Sequence, residues 1–290
     1  MIEQARLERH VRTLASDIGE RNVFHATKLD SARDYIAQAW RAAGLEPRLQ
    51  TYSARGVESS NVEIVLQGEH HGSQSIVVGA HYDSARGSPG ADDNASAVAA
   101  LLELGHVLAA ARRARTLRLV AFVNEEPPFF FWGEMGSQVY ARAARERNED
   151  IRVMLSLEML GYYRDEPRTQ HYPPLFRWFY PNRGNFIGFV SNLRSRRELT
   201  RVYRAFRNNC DFPAERAAVP SWIPGIGWSD HLSFWRQGYP ALMVTDTAFY
   251  RYPYYHTSED TPDKIDYARL TTVANGLAAA LVELASAESL

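Results

Sequence analysis

Five residues of the types that bind divalent metals punctuate this chain: His81, Asp93, Glu126, Glu158 and His256. They stand in G-A-H-Y-D-S, G-A-D-D-N-A-S, V-N-E-E-P-P, L-S-L-E-M-L-G and Y-Y-H-T-S-E-D. Two imidazoles and three carboxylates can hold two zinc ions if one carboxylate bridges, since zinc takes N and O ligands in open four- or five-coordinate catalytic sites. Glu125, beside Glu126, is left over, and a metal-activated water needs such a base. The chemistry this set points to is hydrolysis.

Taken singly, each residue has an ordinary explanation. His81 and Asp83 lie two apart on an extended segment and face one way, so Asp83 can orient the imidazole; a surface His-x-Asp pair looks the same. Asp92-Asp93 reads equally as an acidic helix start. Glu125-Glu126 is harder to dismiss, because adjacent carboxylates repel unless a cation or proton separates them, and Pro127-Pro128 holds the pair in a stiff turn. Glu158 follows apolar residues, where an unpaired carboxylate is costly; a salt bridge to an arginine is its structural alternative. His256 falls in a polar loop, where a histidine is more often solvated.

Apolar runs ending at these positions predict the elements that carry them. Strands are expected over 47–52, 61–67, 75–80, 117–123, 153–158, 186–190 and 241–245, with 75–80 central and buried. Helices are expected over 2–16, 31–43, 95–111, 136–147, 195–209 and 266–288, the second capped by Leu29-Asp30-Ser31. Strands alternating with helices predict an α/β fold: a three-layer αβα sandwich with a mostly parallel mixed central sheet, whose ligands gather beyond the carboxyl ends of strands. One catalytic domain over 1–290 is expected, with irregular insertions near 162–184 and 212–228.

A net charge of −1 gives no case for nucleic acid or a membrane surface. The single cysteine, Cys210, excludes an intrachain disulfide and a cysteine metal site, and reads as a core filler. No apolar stretch near the N-terminus reads as a signal peptide and none is long enough to span a membrane, so a cytoplasmic protein is the default expectation. Oligomeric state is not legible. The aromatic run Phe129-Phe130-Phe131-Trp132 reads as core packing or as a pocket wall, with Tyr163, Trp222 or Tyr252 opposite. His231, in W-S-D-H-L-S-F, is a candidate supporting residue.

In this order, H-Y-D-S, P-G-A-D-D-N-A-S, N-E-E, S-D-H-x-S-F and Y-H-T-S-E-D-T resemble the co-catalytic di-zinc aminopeptidase family, which includes bacterial leucyl aminopeptidases, glutamate carboxypeptidases and glutaminyl cyclases. The resemblance runs from about Ser75 to the C-terminus. It implies a zinc-exopeptidase fold (phosphorylase/hydrolase-like) and two Zn2+ per chain, with Asp93 bridging, His81 and Glu158 completing one site, and Glu126 and His256 the other. It further implies Glu125 as general base, Asp83 orienting His81, Tyr255 polarising the scissile carbonyl, and a cis peptide after Asp93. Many members have Asp where this chain has Glu158, a side chain about 1.5 Å longer. The expected activity is hydrolysis of the N-terminal bond of a peptide substrate. A cyclase-like acyltransferase with a single zinc, a carboxypeptidase and a non-catalytic relative are the alternatives.

Overall fold

Burial along the third strand explains the layering. Ile76, Val78 and Ala80 enter a core with residues of five helices, while Val77 enters a second core on the other face of the sheet. A strand buried on both sides reads as an unbroken apolar run. A computed structural model describes residues 1–130, 133–174 and 176–287. Its strands are β1 Arg48–Ala54, β2 Val57–Leu66, β3 His71–His81, β4 Arg115–Phe122, β5 Asp150–Glu158, β6 Ile187–Ser191, β7 Ala214–Ala218 and β8 Ala241–Thr245. Its α-helices are α1 Gln4–Arg12, α2 Ala26–Ala42, α3 Ala97–Leu108, α4 Gly136–Glu146, α5 Arg196–Asn209, α6 His231–Arg236 and α7 Tyr267–Ser286.

The strands form one sheet in the order β1-β2-β4-β3-β5-β8-β6-β7. β4, β3, β5 and β8 run parallel, β1 and β2 join antiparallel at one edge, and β6–β7 run antiparallel to β8 at the other. Helices α1, α2, α3, α5 and α7 cover one face; α4 and α6 cover the other through Tyr140, Ala141, Ala144 and Phe234. This is the expected αβα sandwich around a mixed, mostly parallel sheet. Among the described residues, no helix is long and apolar enough to cross a membrane.

Three local expectations fail. Helix α2 starts at Ala26, so Leu29-Asp30-Ser31 lies inside it; Ser31 Oγ donates to the Thr27 carbonyl one turn back instead of capping. The stretch 212–228 is not wholly irregular, since 214–218 forms β7 on the sheet edge. Tyr163 and Tyr252 are buried, Tyr163 in the main core, and Trp222 is 80% exposed, so these three do not form a wall opposite the aromatic run. Phe129 packs into a small core with Ala54 and Met135, Phe130 lies against it, and Phe131 and Trp132 lie outside the described residues. Cys210 packs half-buried against the main core.

Candidate metal centre

Parallel pairing brings the carboxyl ends of β4, β3 and β5 side by side. His81 is the last residue of β3, Glu125 and Glu126 follow β4 closely, and Glu158 ends β5. Asp93 lies in a widened turn, Ala91–Ser96, that leads into α3; its peptide bond to Asn94 is cis, as the resemblance implies. His256 comes from the loop between β8 and α7. Asn124, Met159 and His256 all have φ between 51° and 61°, a left-handed backbone that non-glycine residues rarely adopt. The chain therefore turns sharply beside Glu125, beside Glu158 and at His256.

The side chains converge. Asp93 points one carboxylate oxygen at each imidazole: Oδ1 lies 3.4 Å from His81 Nε2, and Oδ2 lies 3.1 Å from His256 Nε2. Glu158 Oε1 is 3.5 Å from His81 Nε2, and Glu126 Oε1 is 3.1 Å from His256 Nε2. Two triads result, His81–Asp93–Glu158 and Asp93–Glu126–His256, and they share Asp93. The edge of a tetrahedron of zinc ligands with bonds near 2.0–2.1 Å is about 3.3 Å, and all four separations fall within a few tenths of an ångström of that. Glu125 joins neither triad; its Oε2 is 4.0 Å from His81 Nε2.

The supporting bonds explain the orientation. Asp83 takes the backbone N–H groups of Glu125 and Glu126, one on each carboxylate oxygen. His81 Nδ1 faces the Asp83 backbone carbonyl at 3.2 Å, with the carboxylate at 3.5 Å. Ser229 Oγ donates to Glu158 Oε2 at 2.6 Å, so that carboxylate is held by a hydroxyl and no arginine salt bridge reaches it among the described residues. Tyr255 stacks on His256 with ring centroids 3.8 Å apart.

Asp260 and Arg21, which no motif singles out, also shape the site. Asp260 accepts the backbone N–H groups of Asp92 and Asp93. Arg21, fully buried, donates to the carbonyls of Tyr82, Pro89 and Gly90 and so fixes the loop between His81 and Asp93. Nothing in G-E-R-N announces that role, since its partners lie more than sixty positions away. His231 gives Nε2 to the Ile226 carbonyl, and burial lowers its pKa to about 4.

The electrostatics describe a centre short of positive charge. Burial pushes the Glu125 carboxyl well up, and Glu158 and Glu126 add to that against the pull of His81. Burial and Asp93 raise Glu126 to about 7. Burial lowers the His256 imidazole, but Asp93 and Glu126 outweigh it and lift the group to about 10. Asp93 is held below the usual range despite its burial, because both imidazoles face it. His81 Nε2, Asp93 Oδ1 and Glu126 Oε1 are buried without a hydrogen-bond partner among the described residues. Buried polar atoms normally have partners. Orphaned ligand atoms at zinc-edge spacing fit a pair of divalent cations.

The sequence pattern of peptidase family M28 matches residues 61–281. The chain belongs to peptidase family M28. As an M28 peptidase it is a hydrolase. Over 280 residues it is 38% identical to the Escherichia coli protein YfbL, covering 93% of this chain and 85% of that one. It is 23% identical to leucine aminopeptidase 1 of Ajellomyces capsulatus, covering 96% and 74%. BSAP, a zinc aminopeptidase from Bacillus subtilis, superposes with a TM-score of 0.76 over 100% of this chain and 97% of that one, at 16% identity. The matched span contains every residue of both triads.

Proposed function

We propose that this chain is a zinc-dependent aminopeptidase that uses two metal ions. The observation that carries the reading is Asp93, whose two oxygens face two imidazoles in ligand triads of matching spacing. His81, Asp93 and Glu158 would hold one ion, and Asp93, Glu126 and His256 the other. Zinc so held supplies a Lewis acid for a carbonyl oxygen and lowers the pKa of water.

The protein's own groups do the rest. Glu125, outside both triads and pinned through its backbone by Asp83, takes the proton of the attacking water and passes it to the leaving amine. Tyr255, on the rim beside His256, donates toward the scissile carbonyl oxygen. Both triads are intact, which disfavours a one-zinc cyclase using Asp93, Glu126 and His256 alone. A cavity lined by Glu158 and Tyr255 opens beside the centre. Arg216 is the one cationic residue lining it among the described residues, and its guanidinium sits over the Tyr203 ring at 5.0 Å. A substrate carboxylate therefore finds little there, while an ammonium meets a ring of acids. That favours cleavage from the N-terminus.

The test is Glu125→Gln against the unaltered protein on short peptides. Metal content should persist while release of the first amino acid falls by about 10²–10⁴-fold. A fully active Gln variant contradicts the role of Glu125, and no amino-acid release by the metal-loaded protein contradicts the activity.

A further inference from the structure

The cavity beside the metal centre ends in a carboxylate. Glu158 pairs with Thr245, Thr245 with Gly188, and Gly188 with Glu215, in one row across β5, β8, β6 and β7. Residues directly opposite in register project from the same face. Three strand spacings separate the two acids, about 14 Å. The cavity spans the row, with Glu158 and Tyr255 at one end, Thr245 and Gly188 in its floor, and Glu215 at the other end. Gly188 keeps that floor low, since a Cβ added there would already sit 3.3 Å from the Thr245 carbonyl and 3.6 Å from Thr247 Cγ2.

Glu215 is half-buried, and neither a hydrogen bond nor an ion pair engages its side chain among the described residues. Its neighbour Arg216 is committed to Tyr203. Around it stand Tyr172, Phe176 and Tyr180, all lining the cavity. The Tyr172 and Tyr180 hydroxyls donate to the carbonyls of Pro181 and Arg216, so neither satisfies the acid. Burial pushes the Glu215 carboxyl up, against the weaker pull of Arg207. An unpaired carboxylate among aromatic rings is costly by itself and well matched to a cation, which gains both the ion pair and the ring faces.

We propose that this cavity receives the side chain of the substrate's first residue and that Glu215 selects arginine or lysine there. The proposal rests on the aminopeptidase reading. An arginine side chain reaches roughly 7 Å, and a charged hydrogen bond adds about 3 Å. The α-carbon would then lie about 4 Å from the metal end of the row, within reach of the site. A leucine stops halfway and leaves Glu215 unanswered.

The experiment compares the fluorogenic amides of arginine with citrulline, and of lysine with norleucine, plus leucine, on the metal-loaded protein and its Glu215→Gln and Glu215→Lys variants. Expected is a kcat/KM at least about tenfold higher for each cation than for its neutral partner, carried mainly by KM. Glu215→Gln should erase that ratio while leucine stays within about twofold, and Glu215→Lys should reverse it. Neutral partners cleaved as well as the cations, or an equal loss on all substrates in Glu215→Gln, overturns the proposal. Calorimetric binding of argininamide against citrullinamide separates the two readings. If no amide is hydrolysed the aminopeptidase reading falls, and tighter argininamide binding still supports the pocket while equal binding overturns it.

Discussion

Asp83 accepts the backbone N–H of Glu125 at 3.1 Å, and its second oxygen takes the N–H of Glu126 at the same distance. One carboxylate thus sets the turn that presents both the proposed base and a proposed ligand. Asp83→Asn keeps the shape but offers one acceptor oxygen and turns an N–H donor toward the other amide. We expect kcat to fall about 10- to 100-fold with both ions still bound. Steady-state kinetics alongside metal analysis checks this; loss of the metals with kcat per bound ion unchanged would contradict it.

Asp93 is the residue common to both triads. Asp93→Ala should therefore lose both ions, whereas Glu158→Ala and Glu126→Ala should each weaken one. Native mass spectrometry of the three variants reads the stoichiometry directly. Two ions retained by Asp93→Ala would show that the carboxylate does not bridge.

Removing the metals should make stability depend on pH in a set direction. Glu126, raised to about 7, is destabilising once pH passes its unfolded value near 4.5, and the cost grows until about 7. His256, raised to about 10, contributes stability that is complete below about 6.5 and is lost as pH climbs through 10. Both act in one direction. The chelated protein should melt at steadily lower temperature between pH 5 and 9, and the metal-loaded protein should hold nearly level by mass action. Thermal scans with and without chelator decide it: a metal-free protein that is most stable at pH 9 would be incompatible with this centre.

The proposed ligands are legible because each ends a strand or falls in an irregular turn or loop, where a polar group has no reason to follow an apolar run. The sandwich was legible for the same reason: Ile76 to Ala80 and Leu117 to Val123 carry the pattern of buried parallel strands. β7 was not, because A-E-R-A-A is short, half-exposed and without alternation, as edge strands often are. The helix expected over 31–43 begins earlier, at Ala26: Asp30 and Ser31 resemble a cap, but their side chains serve other ends, Asp30 pairing with Arg33 and Ser31 bonding backwards. The pocket wall escaped too. Tyr172, Phe176, Tyr180 and Trp228 come from the segments expected as insertions, and side-chain direction in irregular backbone has no period to read.

Arg21 gives the first stretch of chain a part in the chemistry that its distance from every ligand conceals. One guanidinium clamps the carbonyls of Tyr82, Pro89 and Gly90, holding the loop between His81 and Asp93 taut. Losing that one guanidinium would leave all five proposed ligands in the sequence and still slacken the span that sets two of them apart.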